Sequence, residues 1–186
     1  MPAIYLGAFE VSLKDLTAAY TVFPNRGVRR QPYLIERIDD SDGHTLYRAS
    51  HLTTMAVDPG VCGTVTSVLT QVLDHGTAAT AKSLGLDRPA AGKTGTTNDY
   101  HDAWFIGYTG SLTCGVWVGL DKPQTIMPHG YGAALALPVW VDVIEAASPQ
   151  RYPAPSLGGW NGPTGGSGAP VKRNFFQSLR HLFGGH

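Results

Sequence analysis

Excess charge of either sign is missing from this sequence: 14 lysines and arginines face 14 aspartates and glutamates, for a formal net charge of zero over 186 residues. Counterion-driven binding to nucleic acid or acidic membrane needs a clustered positive field, so a generic binder of either kind is excluded and only a local patch is left open. Cysteine is nearly absent. Cys62 and Cys114 stand far apart without a C-x-x-C, which points to buried free thiols rather than a disulfide framework or zinc ribbon. No apolar run approaches the roughly 18 residues of a membrane span, and no charged-then-apolar leader precedes a small-residue cleavage site. The seven histidines never fall at H-x-H, H-E-x-x-H or comparable ligand spacing, so no metal is expected. No cofactor is expected either. What is present in quantity is apolar material, 42% of residues against 15% charged, enough for one real core.

Composition divides the chain into residues 1–147, which read as a folded domain, and residues 148–186, a Pro/Gly/Ser-rich tail expected to be disordered. The tail closes on a short basic aromatic end in which Phe175 or Phe176, Leu179, and Leu182 or Phe183 recur beside Lys172, Arg173 and Arg180. That end offers a membrane-surface or protein contact. Within the domain, Ser12 and Asp15 stand at capping-box spacing before Leu13, Leu16, Tyr20 and Phe23, predicting a helix that ends near Asn25 and Gly27. PYLIERIDD and HTLYRA around Asp42 and Gly43 predict a β-hairpin. Asp58 and Pro59 open a second helix whose stripe of Val61, Val65, Val68, Leu69 and Val72 reads as core, with Gly76 as its stop. From Ala91 the period becomes alternating: AGKTGTT, DAWFIGYT and LTCGVWVGL predict a three-stranded antiparallel meander. Pro138 opens a last helix that lays Val139, Trp140, Val143 and Ile144 on the sheet. Helices on either side of a meander make an α+β domain.

The residues that carry chemistry are Gly92, Lys93, Thr94, Gly95, Thr96 and Thr97. A P-loop would need its first glycine at position 87, which is Asp87, and its lysine would open a helix rather than sit in a strand. K-T-G on an accessible strand belongs instead to acyl-transfer sites of the penicillin-recognising kind. There a lysine supplies positive charge, threonine hydroxyls meet a substrate carboxylate, and Gly95 keeps the face clear. Asp99, His101 and Asp102 read as the following turn, with His101 a solvated turn residue. Trp104, Tyr108 and Trp117 alternate on strands and read as packing, with a stacking platform as the alternative. Gly130, Tyr131 and Gly132 either line the mouth of a cleft or make a turn.

The longer run AAGKTGTTNDYHDAWFIGYTGSLTCGVWVGLD resembles the last three sheet strands of the transpeptidase domain of class A penicillin-binding proteins. EVSLKDLTAAYTVFPNRG, PYLIERIDDSDGHTLYR, VLTQVLDHGTA and ALPVWVDVI resemble that domain's flanking helices and hairpin, in the same order, from about Pro2 to Ala147. The resemblance implies an incomplete serine β-lactamase/DD-transpeptidase-like fold on the extracytoplasmic or periplasmic face of a bacterial inner membrane. It implies a peptidoglycan stem peptide ending in D-Ala-D-Ala, or a β-lactam, as ligand. Lys93 would hold the charge of the cleft, Thr94 and Thr96 would bind the terminal carboxylate beside Gly95 and Thr97, and the Thr96 backbone N–H would form half of an oxyanion hole. Losing such a donor costs roughly 3 kcal/mol.

The family's nucleophile is a serine three residues before a lysine, and this chain has none. Before Lys14, Lys82, Lys93, Lys122 and Lys172 stand Val11, Ala79, Ala90, Gly119 and Ala169. S-x-N is missing too, as is the G-x-S-x-G elbow. In the family these motifs lie upstream, with the first two strands of the central sheet, so the upstream half of the same domain is an implied partner. Met1 falls where the family has mid-domain sequence, and a truncated gene, a misplaced start and a cut clone would all produce such a chain. The expectation is a fragment that is inert alone, poorly soluble or marginally stable, with an uncovered sheet edge and apolar face. The alternatives are a non-catalytic peptide- or partner-binding remnant and, more distantly, a P-loop-like nucleotide binder.

Overall fold

The computed structural model describes residues 10–157. The first residues of the family resemblance, from Pro2, and the basic aromatic end of the tail lie outside the described residues. Three antiparallel strands, β5 (Ala91–Thr96), β6 (Asp102–Tyr108) and β7 (Thr113–Gly119), form a meander in the order β5-β6-β7. Helix α1 (Leu13–Tyr20) packs on one face and α3 (Gly132–Ala146) on the other, while α2 (Pro59–Asp74) runs against β5. Two small two-stranded sheets, β1 (Val28–Arg30) with β4 (Thr53–Met55) and β2 (Arg37–Asp39) with β3 (Thr45–Arg48), connect α1 to α2.

Local chemistry accounts for the element ends. Ser12 caps α1, its hydroxyl accepting from Asp15 N–H at 3.1 Å. The regular helix stops at Tyr20, short of the expected Asn25, because the next amides bond three residues back rather than four: Thr21, Val22 and Phe23 donate to Ala18, Ala19 and Tyr20. The Thr21 hydroxyl adds a second bond to the Ala18 carbonyl. The tightened path runs to Gly27, whose φ of 91° is left-handed. Asp58 caps α2 through Gly60 N–H at 2.7 Å, with Pro59 first in the helix.

The buried line of α2 is Cys62, Thr66, Leu69 and Leu73, while Val61 and Val68 of the expected stripe are exposed. A polar contact turns the helix this way: Thr66 Oγ1 and Tyr108 OH lie 2.8 Å apart in the interior. Burial pushes the Tyr108 phenol up to about 12.

The expected hairpin is present, but its ladder pairs only Arg37–Asp39 with Thr45–Arg48 around an Asp40 carboxylate that accepts from Asp42 and His44 N–H. Tyr33, Leu34 and Ile35, expected as strand, are exposed and outside the ladder. β1 and β4 have no sequence signature because neither alternates.

Pro138 was expected to open the last helix, yet α3 begins at Gly132 and carries Pro138 inside. Alanine and leucine precede the proline, and the buried line of Ala136, Leu137, Trp140, Val141 and Ile144 offsets the amide bond that proline cannot make. Val139 and Val143, expected on the sheet, are exposed. Trp140 is the keystone of this layer. Its ring meets Phe105 edge-on at 4.9 Å, its indole N–H donates to Cys114 O at 3.1 Å, and Gly107 leaves it room, since a Cβ there would stand 2.7 Å from Trp140 Cζ2. Arg88 ties the far end of α3 down by donating to the carbonyls of Glu145 and Ala147. The start of the tail, expected to be disordered from residue 148, lies against the domain instead: Ser111 Oγ bonds Pro153 O, and Leu157 packs near Leu69 and Tyr108.

Candidate functional site

Of the six residues singled out in the sequence, five, Lys93 to Thr97, line one groove of about 770 Å³ between α1 and the sheet, while Gly92 is buried behind it. Glu10, Leu13, Leu16 and Tyr20 form its other wall, and Asp102, Trp104 and Trp117 its floor. Lys93 lies within strand β5, and a short turn and β6 follow it, so the helix that a phosphate loop requires is not there.

Ladder parity decides what the strand offers. Thr97 N–H donates to Asp102 O at 3.2 Å, and Thr96 stands opposite Ala103. Antiparallel pairing alternates, so residues 91, 93 and 95 bond to β6 while Gly92, Thr94 and Thr96 turn their N–H and C=O outward. No strand pairs with that outer edge among the described residues. The Lys93 ammonium folds onto it, donating to Thr94 O at 2.8 Å and Thr94 Oγ1 at 3.2 Å. Desolvation by the groove wall lowers the pKa of Lys93 from the ordinary lysine value.

Both threonine hydroxyls have internal partners. Thr94 Oγ1 lies 2.7 Å from Thr77 Oγ1, and Thr96 Oγ1 accepts from Gly132 N–H at 3.0 Å. Thr97 Oγ1 accepts from Asp102 N–H at 2.8 Å and closes the turn. Gly95 faces Trp104, where a Cβ would come within 3.1 Å of the tryptophan Cβ.

Three residues play parts that sequence reasoning missed. Asp102, read both in the turn and at the head of the DAWFIGYT strand, is the first residue of β6, and what the sequence did not show is that it accepts from the Trp117 indole at 2.8 Å. Trp104 and Trp117, read as packing with a stacking platform as the alternative, line the groove with ring centroids 6.2 Å apart. Period-two alternation on neighbouring strands carried the signal, but only the register puts them side by side. Gly132, left open between cleft and turn, reaches the K-T-G strand directly. His101 is half-buried in the turn. The hairpin turn brings ligand atoms of Asp40, Asp42 and His44 within 4.8 Å of one another. Bonds from the His44 and Asp42 amides lower the Asp40 pKa, and they account for its orientation by the turn alone.

Residues 5–142 match the penicillin-binding protein transpeptidase domain. The chain belongs to that family. It is 37% identical over 151 residues to penicillin-binding protein 1A of Aquifex aeolicus, a match covering 81% of this chain and 20% of that protein. Among solved structures it is similar to the penicillin-binding protein PonA1 from Mycobacterium tuberculosis, with a TM-score of 0.65, 26% identity, and coverage of 82% of this chain and 43% of that one. It is also similar to an imipenem acyl-enzyme complex of penicillin-binding protein A from M. tuberculosis, with a TM-score of 0.56, 25% identity, and coverage of 70% and 30%. The chain thus spans about a fifth of the length of the curated relative it matches. Its α+β architecture is that of a penicillin-binding transpeptidase domain, and among the described residues no helix is long and apolar enough to cross a membrane.

Proposed function

We propose that this chain carries the K-T-G half of the acyl-transfer site of a peptidoglycan D,D-transpeptidase acting outside the cytoplasmic membrane. The observation that carries this reading is the outward-turned edge of β5. It presents Lys93, the Thr94 and Thr96 hydroxyls and the Thr96 N–H to one groove. Lys93 supplies positive charge, Thr94 and Thr96 bind a terminal carboxylate, and Thr96 N–H stabilises the oxyanion where charge develops. Gly95 and Thr97 shape the strand around them. The ligand class is a stem peptide ending in D-Ala-D-Ala, or a β-lactam. Residues 1–147 are read as the domain part and residues 148–186 as its tail.

The chain alone performs no acyl transfer, because no serine stands three residues before any of its lysines. The nucleophile comes from the upstream half of the same domain. The missing S-x-x-K also favours a second reading, a remnant that binds peptide or a partner through the same edge without chemistry. Fluorescent penicillin separates the two. The chain by itself is expected to stay unlabelled under denaturing electrophoresis, and a product whose frame continues upstream through S-x-x-K and S-x-N is expected to be labelled. Covalent labelling of the chain alone would overturn the assignment, and an upstream frame without those motifs would leave the binding remnant.

A further inference from the structure

We propose that the start of α3 sets the direction of the Thr96 hydroxyl, with Gly132 as a positioning residue for carboxylate recognition. This rests on the reading of Thr96 as a carboxylate ligand. A threonine hydroxyl has one hydrogen to donate and two lone pairs. Gly132 N–H occupies a lone pair of Thr96 Oγ1 at 3.0 Å. The hydroxyl hydrogen therefore points away from Gly132, and the groove, where Thr96 is exposed, is the side on which an acceptor can meet it. A carboxylate oxygen is such an acceptor, since it brings no hydrogen of its own.

Only glycine reaches this position. A Cβ on residue 132 would overlap the Trp104 carbonyl and stand 2.6 Å from the Gly95 carbonyl. The approach is braced from both sides. Tyr131 holds the N-cap position of α3, its phenol lies 3.1 Å from that of Tyr100, and their rings meet edge-on at 5.1 Å. Ile126 N–H donates to Tyr100 O at 3.0 Å, joining the loop before α3 to the turn after β5. The bracing residues Asp99, Tyr100 and His129 all hold left-handed backbone, with φ of 59°, 57° and 60°. Such conformations are unfavourable for residues with a Cβ and persist where the surroundings over-determine them. Here they flank the bond from Gly132 N–H to the Thr96 hydroxyl, which joins α3 to the K-T-G strand.

The test compares N-acetyl-D-Ala-D-Ala with its C-terminal carboxamide on the full product of the gene that encodes this chain. The readout is the ratio of the two affinities. Thr96→Val is expected to cut the carboxylate preference about tenfold. Gly132→Ala is expected to cut it by a similar factor, and the double variant by no more than either alone. A purely structural role for Gly132 would weaken both ligands equally, or give losses that multiply, and either result overturns the inference. If Thr96→Val leaves the ratio unchanged, the carboxylate reading of Thr96 fails, and the inference falls with it. Should Gly132→Ala not fold, the Gly132 amide proton of the unmodified protein decides. It is expected to shift downfield with the carboxylate ligand and not with the carboxamide, because a hydroxyl that donates becomes a stronger acceptor. A carboxylate titration without that shift would refute the proposal.

Discussion

The buried Thr66–Tyr108 pair yields a prediction in which the sign is more telling than the size. Thr66→Val keeps the shape of the side chain and removes the oxygen 2.8 Å from the Tyr108 phenol, which is fully buried. The stranded hydroxyl then carries its desolvation cost, about 1–3 kcal/mol. Tyr108→Phe is milder, about 0.5–1.5 kcal/mol, because the Thr66 hydroxyl can turn back to a carbonyl of its own helix. The double variant removes both polar groups, so it is expected to be more stable than Thr66→Val alone. Urea unfolding at neutral pH reads all three, with unchanged m-values as the check on two-state behaviour. A double variant that falls below the unmodified protein by the sum of the single losses, and so below Thr66→Val, would refute the reasoning.

The same pair fixes a pH dependence. Burial raises Tyr108 from its ordinary value of 10.0 to about 12, so the folded state holds the phenolic proton more tightly than the unfolded chain. Its contribution is complete below pH 10.0 and is lost as pH rises through about 12. The slope is about 1.4 kcal/mol per pH unit, and roughly 3 kcal/mol is lost in all. Tyr108→Phe should abolish that part of the alkaline slope.

Two further outcomes follow from the geometry. Trp140→Ala removes a side chain with 0% exposure together with its bond to Cys114 O. It should cost about 3–5 kcal/mol in denaturant unfolding, and a loss under about 1 kcal/mol would contradict the packing of α3 on the sheet. Carboxylate binding in the groove should weaken as pH rises through the Lys93 pKa. Desolvation lowers that pKa, so the weakening should start below the ordinary lysine value of 10.5 and vanish in Lys93→Met. Ligand titration across that range measures it.

Much of this protein was legible in the linear chain. Ser12 and Asp58 announce their helices because a side-chain oxygen capping a nearby amide is a local event. The K-T-G strand and its meander were legible because alternation survives in the order of residues, and the long match in family order identified the domain. What eluded the sequence is non-local. Hydrophobic periodicity passed over Thr66 because a polar residue is invisible to it, yet Thr66 turns α2 toward Tyr108. Pro138 looked like a helix start because proline favours first turns, but the buried line through Trp140 outweighs one missing amide bond. Which threonine amides face outward depends on ladder parity, which the bond from Thr97 to Asp102 sets. The contact from Gly132 to Thr96 joins residues 36 positions apart, and no local pattern encodes it. Sequence by itself determined the starts of α1 and α2, the hairpin, the meander with its chemistry-bearing strand and the family, because caps, turns and alternation act over a few residues. Register, helix rotation and the approach of α3 to the groove were decided only in three dimensions, where packing of distant side chains overrides local preference.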